Sequence, residues 1–192
     1  MKLLLCIHLA LLGVVAVQGT PLNGVGVDAG PNGRKPDAMT LIRELQTDPH
    51  GFKHVGDDGI GRSYDRNGNV IDVLRLTNDE LMQVAFTQTD PEAKKHLEEV
   101  WAGVNGHETP EKDLFSPPYN ILPTRLTNPE FQDSLQMVEE ENLALLQKKN
   151  AKGGLTPNIN CRAFTCRNSA FCLSQGCTSC VQYDKFMGMN CI

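Results

Sequence analysis

Between Cys6 and Cys161 the chain has no cysteine, a gap of 154 residues in a sequence of 192. No covalent cross-link can therefore tie the long middle together. Aromatic residues make up only 6 %, with a single tryptophan, Trp101, so the apolar core that this middle can build is small. After the first 19 residues no stretch approaches the roughly 20 apolar residues needed to cross a bilayer. No Asn-x-Ser/Thr sequence offers a glycosylation acceptor. No internal repeat of about 20 to 50 residues is visible, which excludes a solenoid.

What is present is concentrated at the two ends. Met1 to Gly19 carries one positive charge at Lys2, an apolar run from Leu3 to Val17, and small residues at Val17 and Gly19 suited to cleavage before Thr20. It reads as a secretory signal, with Cys6 removed along with it. The remaining six cysteines, Cys161, Cys166, Cys172, Cys177, Cys180 and Cys191, fall in the last 32 residues. An even number in a secreted chain predicts a closed disulfide framework and leaves no thiol for chemistry.

Charge divides the chain in the same place. Residues 150–192 carry a net charge of +3, and residues 1–149 a net charge of −8. The organisation predicted is a signal peptide over 1–19, an acidic cysteine-free pro-like region over 20–149 and a basic six-cysteine module over 150–192. Lys148-Lys149 stands at the junction as a candidate site for a Kex2-type processing protease. In this reading the acidic part keeps the basic part quiet until its release.

The region 20–149 reads as mainly helical with one short hairpin. Asp37 to Gln46 has helical apolar spacing at Met39, Leu41, Ile42 and Leu45. Arg62–Asp65 and Val70–Leu76 flank Arg66-Asn67-Gly68-Asn69, a hairpin signal. Thr77 with Glu80, Thr89 with Glu92, and Thr127 with Glu130 each place a capping threonine three residues ahead of a glutamate. Phe131, Leu135, Val138, Leu145 and Leu146 form an apolar stripe over the last predicted helix.

Catalytic and metal signals are weak. His50 and His54 have the helical spacing of zinc ligands, but Gly51 intervenes and no glutamate follows His50, so both read as surface histidines. Asp57-Asp58-Gly59 and Asp65-Arg66-Asn67-Gly68 lack the alternating ligands of a calcium loop and read as turns. No phosphate loop or nucleophile elbow is present. Cys177-Thr-Ser-Cys180 has the spacing of a redox or half-zinc site, yet 43 residues cannot supply a thioredoxin-like context. No enzyme, cofactor, metal or nucleic-acid partner is predicted. So short a segment needs its cross-links to offset chain entropy. Six cysteines allow 15 pairings, and spacing alone does not choose among them.

The tail pattern Cys161-x4-Cys166-x5-Cys172-x4-Cys177-x2-Cys180-x10-Cys191, with Arg162-Ala-Phe164 and Cys172-Leu-Ser-Gln-Gly-Cys177, resembles small secreted cystine-knot peptides. These are the potato-type carboxypeptidase inhibitors and the avirulence peptides of plant-pathogenic fungi. The last loop, Phe186-Met-Gly188-Met-Asn-Cys191, also resembles an epidermal-growth-factor module, which has one residue fewer between its fourth and fifth cysteines. The cystine-knot resemblance implies a small disulfide-rich module with pairing Cys161–Cys177, Cys166–Cys180 and Cys172–Cys191. It implies a secreted effector or toxin-like precursor of fungal type that binds a host protein, whether receptor or protease. A protease inhibitor and an antimicrobial peptide acting on a membrane surface are the alternatives. Arg162, Arg167, Tyr183, Lys185 and Phe186 are the candidate target-binding residues, with Met187 beside them; Phe164 and Phe171 read as covers over the disulfides.

Overall fold

The computed structural model describes residues 36–128, 130 and 159–192. Gly19, Lys148, Lys149 and the helix expected after Glu130 lie outside them.

Asp37 opens α1 (Ala38–Glu44), its side chain accepting from the N–H of Thr40. A turn at Asp48–Gly51 leads into β1 (Phe52–Val55), followed by β2 (Ile60–Tyr64) and β3 (Val70–Arg75). The β2–β3 connection is the predicted hairpin. Gly68 takes φ +84°, and Asp65 Oδ1 accepts from the N–H groups of Asn67 and Asn69. Thr77 and Glu80 form the predicted capping box ahead of α2 (Asn78–Phe86).

The other two expected caps shift by one residue. Asp90, not Thr89, caps α3 (Pro91–Val100), because Pro91 occupies the first helical position and the residue before it receives the free amides of Glu92 and Ala93. Thr127 ends the single-turn α4 (Thr124–Thr127), and it is Asn128 whose side chain accepts from Glu130. The tail adds α5 (Ser169–Ser174), β4 (Cys180–Gln182) and β5 (Met189–Cys191).

The five strands among the described residues form one sheet in the order β3-β2-β1-β4-β5. The unexpected neighbour is β4, which runs parallel to β1 with Lys53 opposite Val181 and His54 opposite Gln182. The composition boundary near residue 150 is therefore not a boundary in space: the sheet crosses it, and Pro36–Ile192 is one compact unit. Among its described residues the region before the tail has four α-helices and three strands, one strand more than the expected hairpin. Strand β1, Phe-Lys-His-Val between two glycines, gave too little apolar signal to be expected.

Side-chain alternation divides the sheet into two faces. On one, Val55 and Val181 meet Ala38, Ile42, Leu76, Leu81, Val84 and Trp101, and the tail adds Tyr183 and Ile192 to the same cluster. Trp101 is fully buried and its Nε1–H donates to the carbonyl of Gly56 at 3.2 Å. On the other face, Phe52 stacks on Tyr64 at 5.0 Å and both pack with Phe171, Met189 and the cystines.

The bridges join Cys161 to Cys177, Cys166 to Cys180 and Cys172 to Cys191, the pairing that the resemblance implies. Phe164 meets Phe171 edge-on at 6.5 Å beside them, as covers over sulfur should. Such bridges belong to proteins of oxidising compartments. Among the described residues no helix is long and apolar enough to cross a membrane.

Candidate functional site

The site builds from the connection between β4 and β5, Tyr183 to Gly188. Asp184 is the residue that shapes it. Its carboxylate is fully buried, and Oδ1 accepts from the N–H groups of Phe186 at 2.6 Å and Met187 at 2.9 Å. One aspartate thus folds the three residues after it into a tight turn, the local chemistry for which Asx turns are known. From below, Gln182 Nε2 donates to the carbonyl of Met187 at 3.0 Å. The turn is held at both its start and its end.

Three neighbouring elements then fix this tip to the body. From α3, His96 Nε2 lies 2.6 Å from Asp184 Oδ2. From the β1–β2 turn, Asp57 Oδ2 pairs with Lys185 Nζ at 2.7 Å. From the short 3₁₀ turn Tyr119–Ile121, the carbonyl of Asn120 accepts from Lys185 Nζ at 3.3 Å.

The side chain left over is Phe186. It is 72 % exposed, with the His96 ring edge-on at 5.8 Å and Lys185 Nζ 5.3 Å from its centroid. An aromatic ring held out in water by a clamped turn loses little entropy on meeting a partner.

Beneath the tip the sheet carries an unusual polar row. Arg62, fully buried, donates to both Asp58 oxygens at 3.0 and 2.7 Å and to the carbonyls of Asp113 and Leu114. His54 lies between Arg62 and Gln182 in register. It is 1 % exposed, so it is not the surface histidine the sequence suggested; the helical spacing from His50 does not apply because His54 is on a strand. Neither ring nitrogen has a hydrogen-bond partner among the described residues. Burial first, then the charges of Arg62 and Lys185, push His54 down to about 3, so the ring is neutral. Lys53, on the opposite face, donates from Nζ to the carbonyl of Arg43, and burial lowers it to about 8.

The candidate binding residues separate on this geometry. Lys185 and Phe186 stand together at the tip. Tyr183 is buried in the main core and offers no surface to a partner, because the parallel pairing of β4 turns it inward. Arg162 is half-buried, its guanidinium bound to the Thr87 carbonyl at the end of α2. Arg167 is half-buried ahead of α5. His96, Asp57 and Asp184 are site residues that the sequence did not disclose; only the aspartate two residues before Phe186 carried a local signal.

Two other features do not join the site. A groove of about 520 Å³ between α1 and α2 is lined by Ala38, Met39, Met82 and Phe86, away from the tip. The sulfurs of Cys166, Cys172 and Cys191 lie within 4.8 Å of one another, but each is spent in a disulfide and offers no thiolate to a metal.

These features define a small disulfide-framed α+β domain with a clamped aromatic turn. No family model matches the chain, and no solved structure matches it. The chain is 33 % identical over 183 residues to the Lactobacillus up-regulated protein of Emericella nidulans, covering 93 % of this chain and 92 % of that one. It belongs to the family of that protein. A match of this length includes both the acidic region and the cysteine-rich tail.

Proposed function

We propose that the protein is a secreted, non-enzymatic binding protein of the effector or toxin-like kind, and that it engages a host protein through the β4–β5 turn. The observation that carries this reading is Phe186, exposed to 72 % on a turn whose every neighbour is fixed. Aromatic side chains in rigid settings are the usual anchors of protein interfaces. The signal-like start and the three bridges support secretion. The pairing, first cysteine to fourth, second to fifth and third to sixth, supports a cystine-knot arrangement in which Cys172–Cys191 passes through the ring made by the other two. Contact among the sulfurs of Cys166, Cys172 and Cys191 agrees with that crossing.

The tail-insertion mode of the carboxypeptidase inhibitors finds no support. Ile192 is buried, its carbonyl oxygen accepting from Thr178 Oγ1 at 2.5 Å and Thr178 N–H at 2.6 Å.

The test is binding of labelled, oxidised protein to plant leaf cells, with two phenylalanine variants of equal exposure. Phe186→Ala should weaken saturable binding by about tenfold or more, the loss of an interface anchor. Phe86→Ala, also exposed at 74 % but beside the α1–α2 groove, should bind as the parent does. Equal binding by all three proteins, or a loss shared by both variants, would remove the tip from consideration.

A further inference from the structure

We infer that the six-cysteine segment is a docked subunit of this fold: a backbone cut between Glu130 and Ile159 leaves two chains that remain bound. A dibasic cut after Lys149 then makes a two-chain protein rather than a freed peptide. Only the place of the cut depends on the processing reading given above.

The binding site for the tail is the free edge of β1 together with the apolar face beside it. Strand β4 lies inside the sheet, between β1 and β5, so its departure would strip hydrogen bonds from β1. It would also withdraw Val181, Tyr183 and Ile192 from the cluster containing Ala38, Ile42, Leu76 and Trp101. That apolar surface would return to water on both pieces.

Polar contacts cross the same boundary. Ser169 donates from its N–H and its Oγ to the carbonyl of Gly51, at 2.9 and 3.2 Å, and Ala170 N–H donates to the carbonyl of Pro49. Lys185 pairs with Asp57, and the buried Asp184 with His96. Arg162 holds the Thr87 carbonyl. The opposite net charges of the two parts add a long-range attraction. What the front region recognises is therefore a short strand followed by a buried acid and a lysine.

The association has a distinct chemical signature. All six cysteines after Ile159 pair among themselves, and residues 36–160 have none, so no covalent bond spans the cut.

The experiment replaces residues 148–152 with the recognition sequence of a site-specific protease and cuts the purified, oxidised chain. Cutting is done on the folded protein, or in urea followed by dilution. Native size-exclusion chromatography should give one peak at the volume of the uncut chain. Denaturing electrophoresis without reductant should resolve two pieces from that peak, and the emission of Trp101 should match that of the uncut protein. A tail piece eluting by itself, or a red shift of Trp101 on cutting, would overturn the inference. The Phe186→Ala chain, cut in the same way, should also stay together, so a failure of the host-binding reading is read separately.

Discussion

At the scale of single residues, the chain keeps its most unusual side chains in the sheet interior. His54 is buried between Arg62 and Gln182 with no partner for either nitrogen among the described residues, and burial together with the charges of Arg62 and Lys185 favours its neutral form. The sign of its pH effect follows. In the unfolded chain His54 takes up a proton near its ordinary 6.5, but in the fold only near 3, so the unfolded state binds more protons between those values and stability falls as pH falls through that window. At about 1.4 kcal/mol for each pH unit, the loss from pH 7 to pH 4 should be about 3 kcal/mol. Replacing His54 by leucine forfeits no hydrogen bond. Urea unfolding at a series of pH values should therefore show a shallower acid dependence for His54→Leu than for the parent. Parallel curves would mean that other groups set the acid stability. Nothing local to residues 50–54 announced this burial, since the groups that enclose His54 come from residues 62, 182 and 185.

At the scale of elements, the chain's own signals are reliable where they are local. The Asn67-Gly68 turn, the Thr77–Glu80 box and the α1 periodicity each involve residues within about four positions, and each forms as read. The displaced cap of α3 shows how fine such a reading has to be. Both Thr89 and Asp90 can cap, and the fixed backbone of Pro91 decides for Asp90. Asp90→Ala should cost about 1 kcal/mol in denaturant unfolding, while Thr89→Ala should change stability by only a few tenths. The reverse order would place the helix start one residue earlier. Strand β1 was illegible for a different reason: its lysine is buried by reaching the end of α1, where Nζ meets the carbonyl of Arg43. Sequence pattern counts lysine as exposed, whereas a helix C-terminus with open carbonyls can accept one.

At the scale of the whole molecule, the cystines do not frame a peptide standing apart from the rest. They brace two strands of a sheet whose other three strands belong to the acidic region. Each bridge should contribute about 2–4 kcal/mol by restricting the unfolded tail, and the consequence should reach the far core. Reduction, or Cys172→Ser, should lower the stability of the entire unit and red-shift Trp101, although Trp101 is 60 residues before the first bridge. Thermal unfolding followed by Trp101 fluorescence and by far-ultraviolet circular dichroism should give coincident transitions that move together. A reduced protein with unchanged tryptophan emission would show that the front region stands without its tail.

The amino-acid sequence by itself determined the cysteine inventory, the opposite charges of the two parts, the hairpin, and the caps to within a residue, because those depend on composition or on neighbours along the chain. With the resemblance it also indicated which cysteines pair. The tertiary structure alone decided that β4 lies against β1, that Tyr183 turns inward while Phe186 stays out, and that His96 and Asp57 clamp the turn. Lys53 and Val181 are neighbours across a ladder although 128 positions separate them. A contact of that span leaves no periodicity to read; it exists because one shared apolar core can be closed only when both segments are in place.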